Sequence, residues 1–82
     1  MTIEVTFADN TKVEASIVAR DDEYALIRTN RNRYIVGDFD DDGFFEPFPG
    51  EFGGNCRTAD REVNDNAMID RMNREFMLNL TA

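Results

Sequence analysis

From Thr2 to Phe39 apolar residues recur at every second position, and short polar clusters break the pattern about every ten residues. That period sends one row of side chains into a core and the other into water, as a strand does and a helix cannot. Ile3, Val5 and Phe7 alternate with Thr2, Glu4 and Thr6. Asp9-Asn10-Thr11 then supplies turn chemistry, since Asp and Asn tolerate left-handed backbone and bond their own main chain. Val13, Ala15, Ile17 and Ala19 alternate with Lys12, Glu14, Ser16 and Arg20, so a hairpin is expected. Asp21-Asp22-Glu23 turns into a third strand, Tyr24 to Thr29, whose weaker alternation implies cover on both faces. Asn30-Arg31-Asn32 leads into a fourth, Arg33 to Phe39. A four-stranded antiparallel meander follows, free to twist and curl into a small open barrel.

The period changes after Thr58. Met68, Ile69, Met72, Phe76 and Leu80 fall on one helical face within about 120° of arc. Thr58 or Asp60 can cap the start, with Glu62 in the first turn; Asn64 or Asp65 would cap a later start. The fold class expected is therefore α+β in one domain, residues 1–82. It comprises a meander (1–40), a loop (41–57) and one C-terminal helix (58–80) packed on the sheet. Val63, Ala67 and Met77 form a second apolar line on that helix, so the chain is expected as a monomer or as a homodimer through it. A meander of this kind resembles a Src-homology-3 or Tudor barrel in its curl.

Between the two periodic regions lies Asp38 to Gly54, with six of the 17 acidic residues, five of the seven phenylalanines, both prolines and four of the five glycines. Proline and glycine interrupt strands and helices alike, so the stretch reads as an exposed loop. A core would not accept so many carboxylates, and solvated carboxylates need no aromatic neighbours. The mixture marks a contact surface: Asp38, Asp40, Asp41, Asp42, Phe44, Phe45, Glu46, Phe48, Glu51 and Phe52 are the candidate partner-binding residues. For Phe44 and Phe45, core and contact are equally open at this point.

Charge narrows the partner. The net charge is −8 with no histidine. Such a molecule repels nucleic acid and anionic membranes and attracts basic proteins or cations. Residues 35–56 hold most of the excess, directly after the basic cluster Arg28, Arg31, Arg33, so the molecule should be polarised. Those arginines, interleaved with Tyr24 and Tyr34, are expected to pin the acidic loop rather than to bind RNA. The single cysteine, Cys56, excludes an internal disulfide, and no signal-like or membrane-spanning run is visible, so a cytoplasmic setting is expected. Without histidine, a phosphate-cradling glycine loop or a cysteine with an activating base, the expected function is not enzymatic.

Two constellations carry specific chemistry. Asp38-x-Asp40-x-Asp42-Gly43-x-x-Glu46 places oxygen ligands at alternate positions before a glycine, as a loop wrapping a hard cation requires. It resembles the calcium loops of EF-hands and dockerins, and more so the Gly-Asp-Phe-Asp-x-Asp-Gly loops of integrin-type propeller blades. That resemblance implies Asp38, Asp40, Asp42 and Glu46 as Ca²⁺ ligands, with the Phe44 carbonyl as another; Pro49 stands where an EF-hand has its bidentate glutamate. The other reading of this stretch is a type I turn at Asp40–Gly43 with solvated carboxylates.

The second constellation is the acid and aromatic mixture itself. Carboxylates at phosphate-like spacings beside anchoring rings suit the basic, aromatic-lined grooves in which proteins hold nucleic acid. In size, charge and lack of a catalytic set the chain is similar to small acidic phage-encoded inhibitors of restriction or CRISPR machinery, and to antitoxins that block basic nucleases. The preferred expectation is a non-enzymatic inhibitor that needs no cofactor and covers a basic, nucleic-acid-handling protein. A calcium-binding module is the alternative.

Overall fold

The computed structural model describes residues 2–31, 33–48, 56–57 and 64–82. The meander forms as β1 (Ile3–Thr6), β2 (Lys12–Arg20), β3 (Ala25–Thr29) and β4 (Arg33–Phe39), each antiparallel to the next. It does not stop at four strands. β5 (Phe45–Pro47) pairs with β4 through Gly37, Asp38 and Phe39. β6 (Cys56–Arg57) joins the same edge of β4 further along, opposite Arg33 and Tyr34. The stretch read as one loop over 41–57 therefore contains sheet at both ends of its described part.

Proline and glycine failed to exclude a strand here for identifiable reasons. The Phe48 N–H donates to the Val36 carbonyl at 3.0 Å, so strand alternation turns the Pro47 nitrogen to the outer edge, where no donor is required. Gly37 sits where β4 and β5 approach too closely for a side chain. A Cβ there would lie 2.2 Å from the Glu46 carbonyl oxygen. Gly43 has φ +87°, the conformation that lets the β4–β5 turn close.

The sheet curls until its first and last strands meet, with Phe7, just past β1, bridging Phe45 in parallel. The curl encloses Val5, Ala15, Ala25, Ile27, Ile35 and Phe45, with Phe7, Val13 and Phe39 packed at the margin. Phe45 is 0 % exposed and meets Phe39 and Phe7 edge-on at 5.0 and 5.8 Å between ring centroids. The outer face of the sheet carries a second core: Ala19, Leu26, Tyr34 and Val36 against Met68, Ile69, Met72 and Leu80. β3 and β4 lie between the two cores, which is why β3 alternates so weakly.

β2 serves both cores by a device its sequence conceals. Its pairing with β3 slips between Ile17 and Ala19, leaving Val18 as the extra residue of a bulge. Ala15 thus faces the inside of the curl, while Ala19 faces the helix. The even alternation Val13, Ala15, Ile17, Ala19 suggested one continuous face, and the bulge divides it.

Helix α1 runs Asp65–Phe76. The later start is the one adopted, with Asn64 as cap and its Oδ1 accepting from the Ala67 N–H at 2.9 Å; the proposed caps Thr58 and Asp60 lie outside the described residues. The helix also ends before the expected residue 80. Met77 takes a left-handed conformation at φ 55°, and the Asn73 side chain holds the Leu80 backbone through both its N–H (2.8 Å) and its C=O (3.0 Å). Held in this way, the tail runs extended, and Thr81 exchanges two 3.0 Å backbone bonds with Arg20 of β2. No described helix is long and apolar enough to cross a membrane.

Candidate acidic and aromatic contact surface

An antiparallel meander returns alternate turns to the same end. The β2–β3 turn, Asp21-Asp22-Glu23, and the β4–β5 turn, Asp40-Asp41-Asp42-Gly43, therefore share one end of the barrel. The β1–β2 and β3–β4 turns share the other, where Lys12 and Arg31 stand with the single carboxylate of Asp9 in the turns. Polarisation along the strand axis follows from topology, and two acidic turns far apart in sequence become one acidic pole.

The β4–β5 turn is built by Asp40. Its backbone C=O accepts from the Gly43 N–H at 3.0 Å, and its N–H donates to the Phe44 carbonyl at 2.9 Å. Its side-chain Oδ1 accepts from the N–H groups of Asp42 and Phe44, both at 2.9 Å. This is a type I turn followed by a left-handed glycine, a common hairpin solution. Asp41 and Asp42 stand exposed at its tip. The Ca²⁺ reading does not fit this geometry. One Asp40 oxygen is already committed to its own backbone, Asp38 and Glu46 are strand residues, and among the described residues no three His, Cys, Asp or Glu side chains converge on a cation.

The predicted partner-binding residues are not all at the surface. Asp41, Asp42 and Glu46 are exposed, while Asp38 and Phe48 are half-buried at the surface. Phe45 belongs to the inner core, so its selection as a contact residue is corrected: it closes the barrel, and its ring is out of a partner's reach. Phe44 is half-buried, and Asp40 shapes the turn. Glu51 and Phe52 lie outside the described residues.

Phe48 organises a strip that sequence reasoning missed. Its ring contacts Tyr24 at 4.6 Å and Phe76 at 5.0 Å between centroids, uniting β3's entry, β5's exit and the end of α1. Met77 continues the strip, 89 % exposed because the left-handed cap turns it outward. A cleft of about 620 Å³ opens beside it, lined by Asp21, Asp22, Glu23, Tyr24, Met77 and Leu78, with Arg20 as its one cation among the described lining residues. Half-buried aromatic rings and an exposed methionine, rimmed by carboxylates, combine the usual anchors of a protein interface with a charged margin. The sequence marks Asp21-Asp22-Glu23 only as a turn and Tyr24 as strand and neighbour of the arginine cluster; the clue available is that every second turn of a meander returns to the same end.

The local fields agree with this grouping. Partial burial, then the charges of Glu23, Asp38 and Asp21, raise the Tyr24 hydroxyl above its usual pKa of 10.0. For Asp21, partial burial pushes upward, yet backbone N–H bonds from Tyr24, Glu23 and Asn79 outweigh it and lower the carboxyl overall. Asp38 and Glu46 are direct cross-strand partners. Two like charges about 5 Å apart in water repel by roughly 0.8 kcal/mol, so this pair is not arranged for stability.

Arg28 and Arg31 do something other than expected. Arg28 donates to Asp65 at 2.6 Å, and the same carboxylate oxygen accepts from the Tyr34 hydroxyl. Arg28 and Tyr34 are cross-strand partners on the face under α1, so the triad fastens the first turn of the helix to the sheet. The neighbouring Tyr34 oxygen, and then Asp65, raise the guanidinium further. Arg31 lies at the opposite end from the Asp40–Gly43 turn and does not pin it. Comparison with family models, curated proteins and solved structures returns no match for this chain.

Proposed function

We propose that this chain is a small, non-enzymatic binding protein whose acidic pole covers a basic, nucleic-acid-handling surface of a partner protein, in the manner of an inhibitor. One observation carries the reading: two separate acidic turns converge at one end of the barrel beside the Tyr24–Phe48–Phe76 strip. Carboxylates on Asp22, Glu23, Asp41 and Asp42 supply the phosphate-like charge and steer encounter, while the rings and Met77 supply apolar area that resists dissociation. The cross-strand repulsion of Asp38 and Glu46 favours the same reading, since a basic partner relieves it. Work within a cell is part of this proposal, because the natural targets of such charge mimicry handle nucleic acid there.

The test is capture from cells of the source organism with the native chain and with Asp22→Lys/Asp41→Lys/Asp42→Lys. These three residues are exposed, and Asp40 is left intact because its side chain holds the turn. The native chain should retain a nucleic-acid-binding protein that excess DNA or RNA displaces, and the reversed chain should lose it at least tenfold. Equal retention by both chains, or a partner indifferent to nucleic acid, would contradict the proposal.

A further inference from the structure

The opposite end of the barrel holds an open cleft of about 630 Å³, within the range of small-molecule sites (~300–1,000 Å³). Lys12 of β2, Arg31 of the β3–β4 turn and Arg33 of β4 line it, with Glu14 as the one carboxylate among its described lining residues. Lys12 also forms an exposed 4.0 Å ion pair with Glu4 of β1. Its apolar wall is Phe7 and Val13, at the margin of the inner core, with the buried Ile35 behind them. Thr29 completes the lining. It is the buried polar residue of the described chain, 9 % exposed, and its Oγ1 accepts from the N–H groups of Arg31 and Arg33 at 3.3 Å each. Those two bonds use the oxygen's acceptor capacity and leave the hydroxyl proton to donate, with no acceptor for it among the described residues.

We infer that this cleft binds a small aromatic anion, an organic phosphate or carboxylate. Lys12, Arg31 and the Thr29 hydroxyl receive the charged group, and the ring lies on Phe7 and Val13. The net charge of −8 argues for a small ligand, since a long polyanion would extend past the cleft into repulsion from the rest of the surface. The site is independent of the acidic pole and stands or falls without it.

NMR titration of the ¹⁵N-labelled full chain with phenyl phosphate, benzoate, inorganic phosphate and phenol separates the contributions. Phenyl phosphate or benzoate should shift the amides of residues 11–14, 29–31 and 35 saturably, at least tenfold more tightly than phosphate or phenol alone. Whichever of the two binds more tightly identifies the head group. Arg31→Glu, and separately Lys12→Glu, should each weaken binding at least threefold while the remaining amide spectrum shows the fold retained. Absence of saturation, phosphate binding as tightly as the aromatic anions, or shifts insensitive to both variants would overturn the inference.

Discussion

Single residues decide where this chain departs from simple pattern. Gly37 is the clearest case, because the obstacle to a side chain there is backbone on the neighbouring strand rather than a flexible tip. Gly37→Ala should destabilise the fold by about 2–3 kcal/mol, read as a lower midpoint in urea unfolding with the slope unchanged. Asn64 caps α1 with one side-chain bond, so Asn64→Ala should cost about 1 kcal/mol. Tyr34 gives a pH signature. Burial first, and then the Asp65 carboxylate, raise its hydroxyl above 10.0, as burial and nearby carboxylates do for Tyr24. A raised folded-state pKa means that the stability linked to each tyrosine is complete below about pH 10 and is lost as pH rises through the folded value. Absorbance titration should therefore place both phenol midpoints above that of the urea-unfolded chain. Coincident midpoints would remove this part of the description.

Among elements, the β4–β5 hairpin sets stability against function. Glu46→Lys replaces a repulsive cross-strand neighbour of Asp38 by an attractive one and should stabilise the fold by about 0.5–1 kcal/mol. Thermal unfolding should rise by a few degrees while binding of a basic partner weakens. A fall in both would mean that Glu46 contributes to the fold in a way its exposure does not reveal. This hairpin is also where sequence and structure part most usefully. Strands β1 to β4 and the buried helical stripe were legible because each is periodic over its length. β5 was not, because three residues carry no period and Pro47 is acceptable only at an edge that the sequence does not disclose. The Val18 bulge was hidden for a similar reason: Ala15 and Ala19 are equally small and apolar, so nothing marks which core each serves. Phe45 shows the limit for the site. Its neighbour Glu46 is chemically suited to a surface, and the pairing with Phe39 and the bridge to Phe7, neither marked in the sequence, draw Phe45 inside.

For the whole molecule, antiparallel topology turns a scattered sequence charge into a dipole. Turns that alternate ends separate Asp21-Asp22-Glu23 and Asp40-Asp41-Asp42 from Lys12 and Arg31. The acidic pole lies against an aromatic strip supplied by three elements, so charge and apolar anchor come from one assembled fold rather than from one loop. The most direct measurement is an NMR titration of the ¹⁵N-labelled chain with a nonaarginine peptide, at low and at physiological salt. Shifts should concentrate on residues 21–24, 38–48 and 76–78, weaken steeply with salt, and largely vanish in Asp22→Lys/Asp41→Lys/Asp42→Lys. Shifts spread evenly over the surface, or centred on the outer face of α1 and unchanged in that variant, would contradict an acidic pole built for contact.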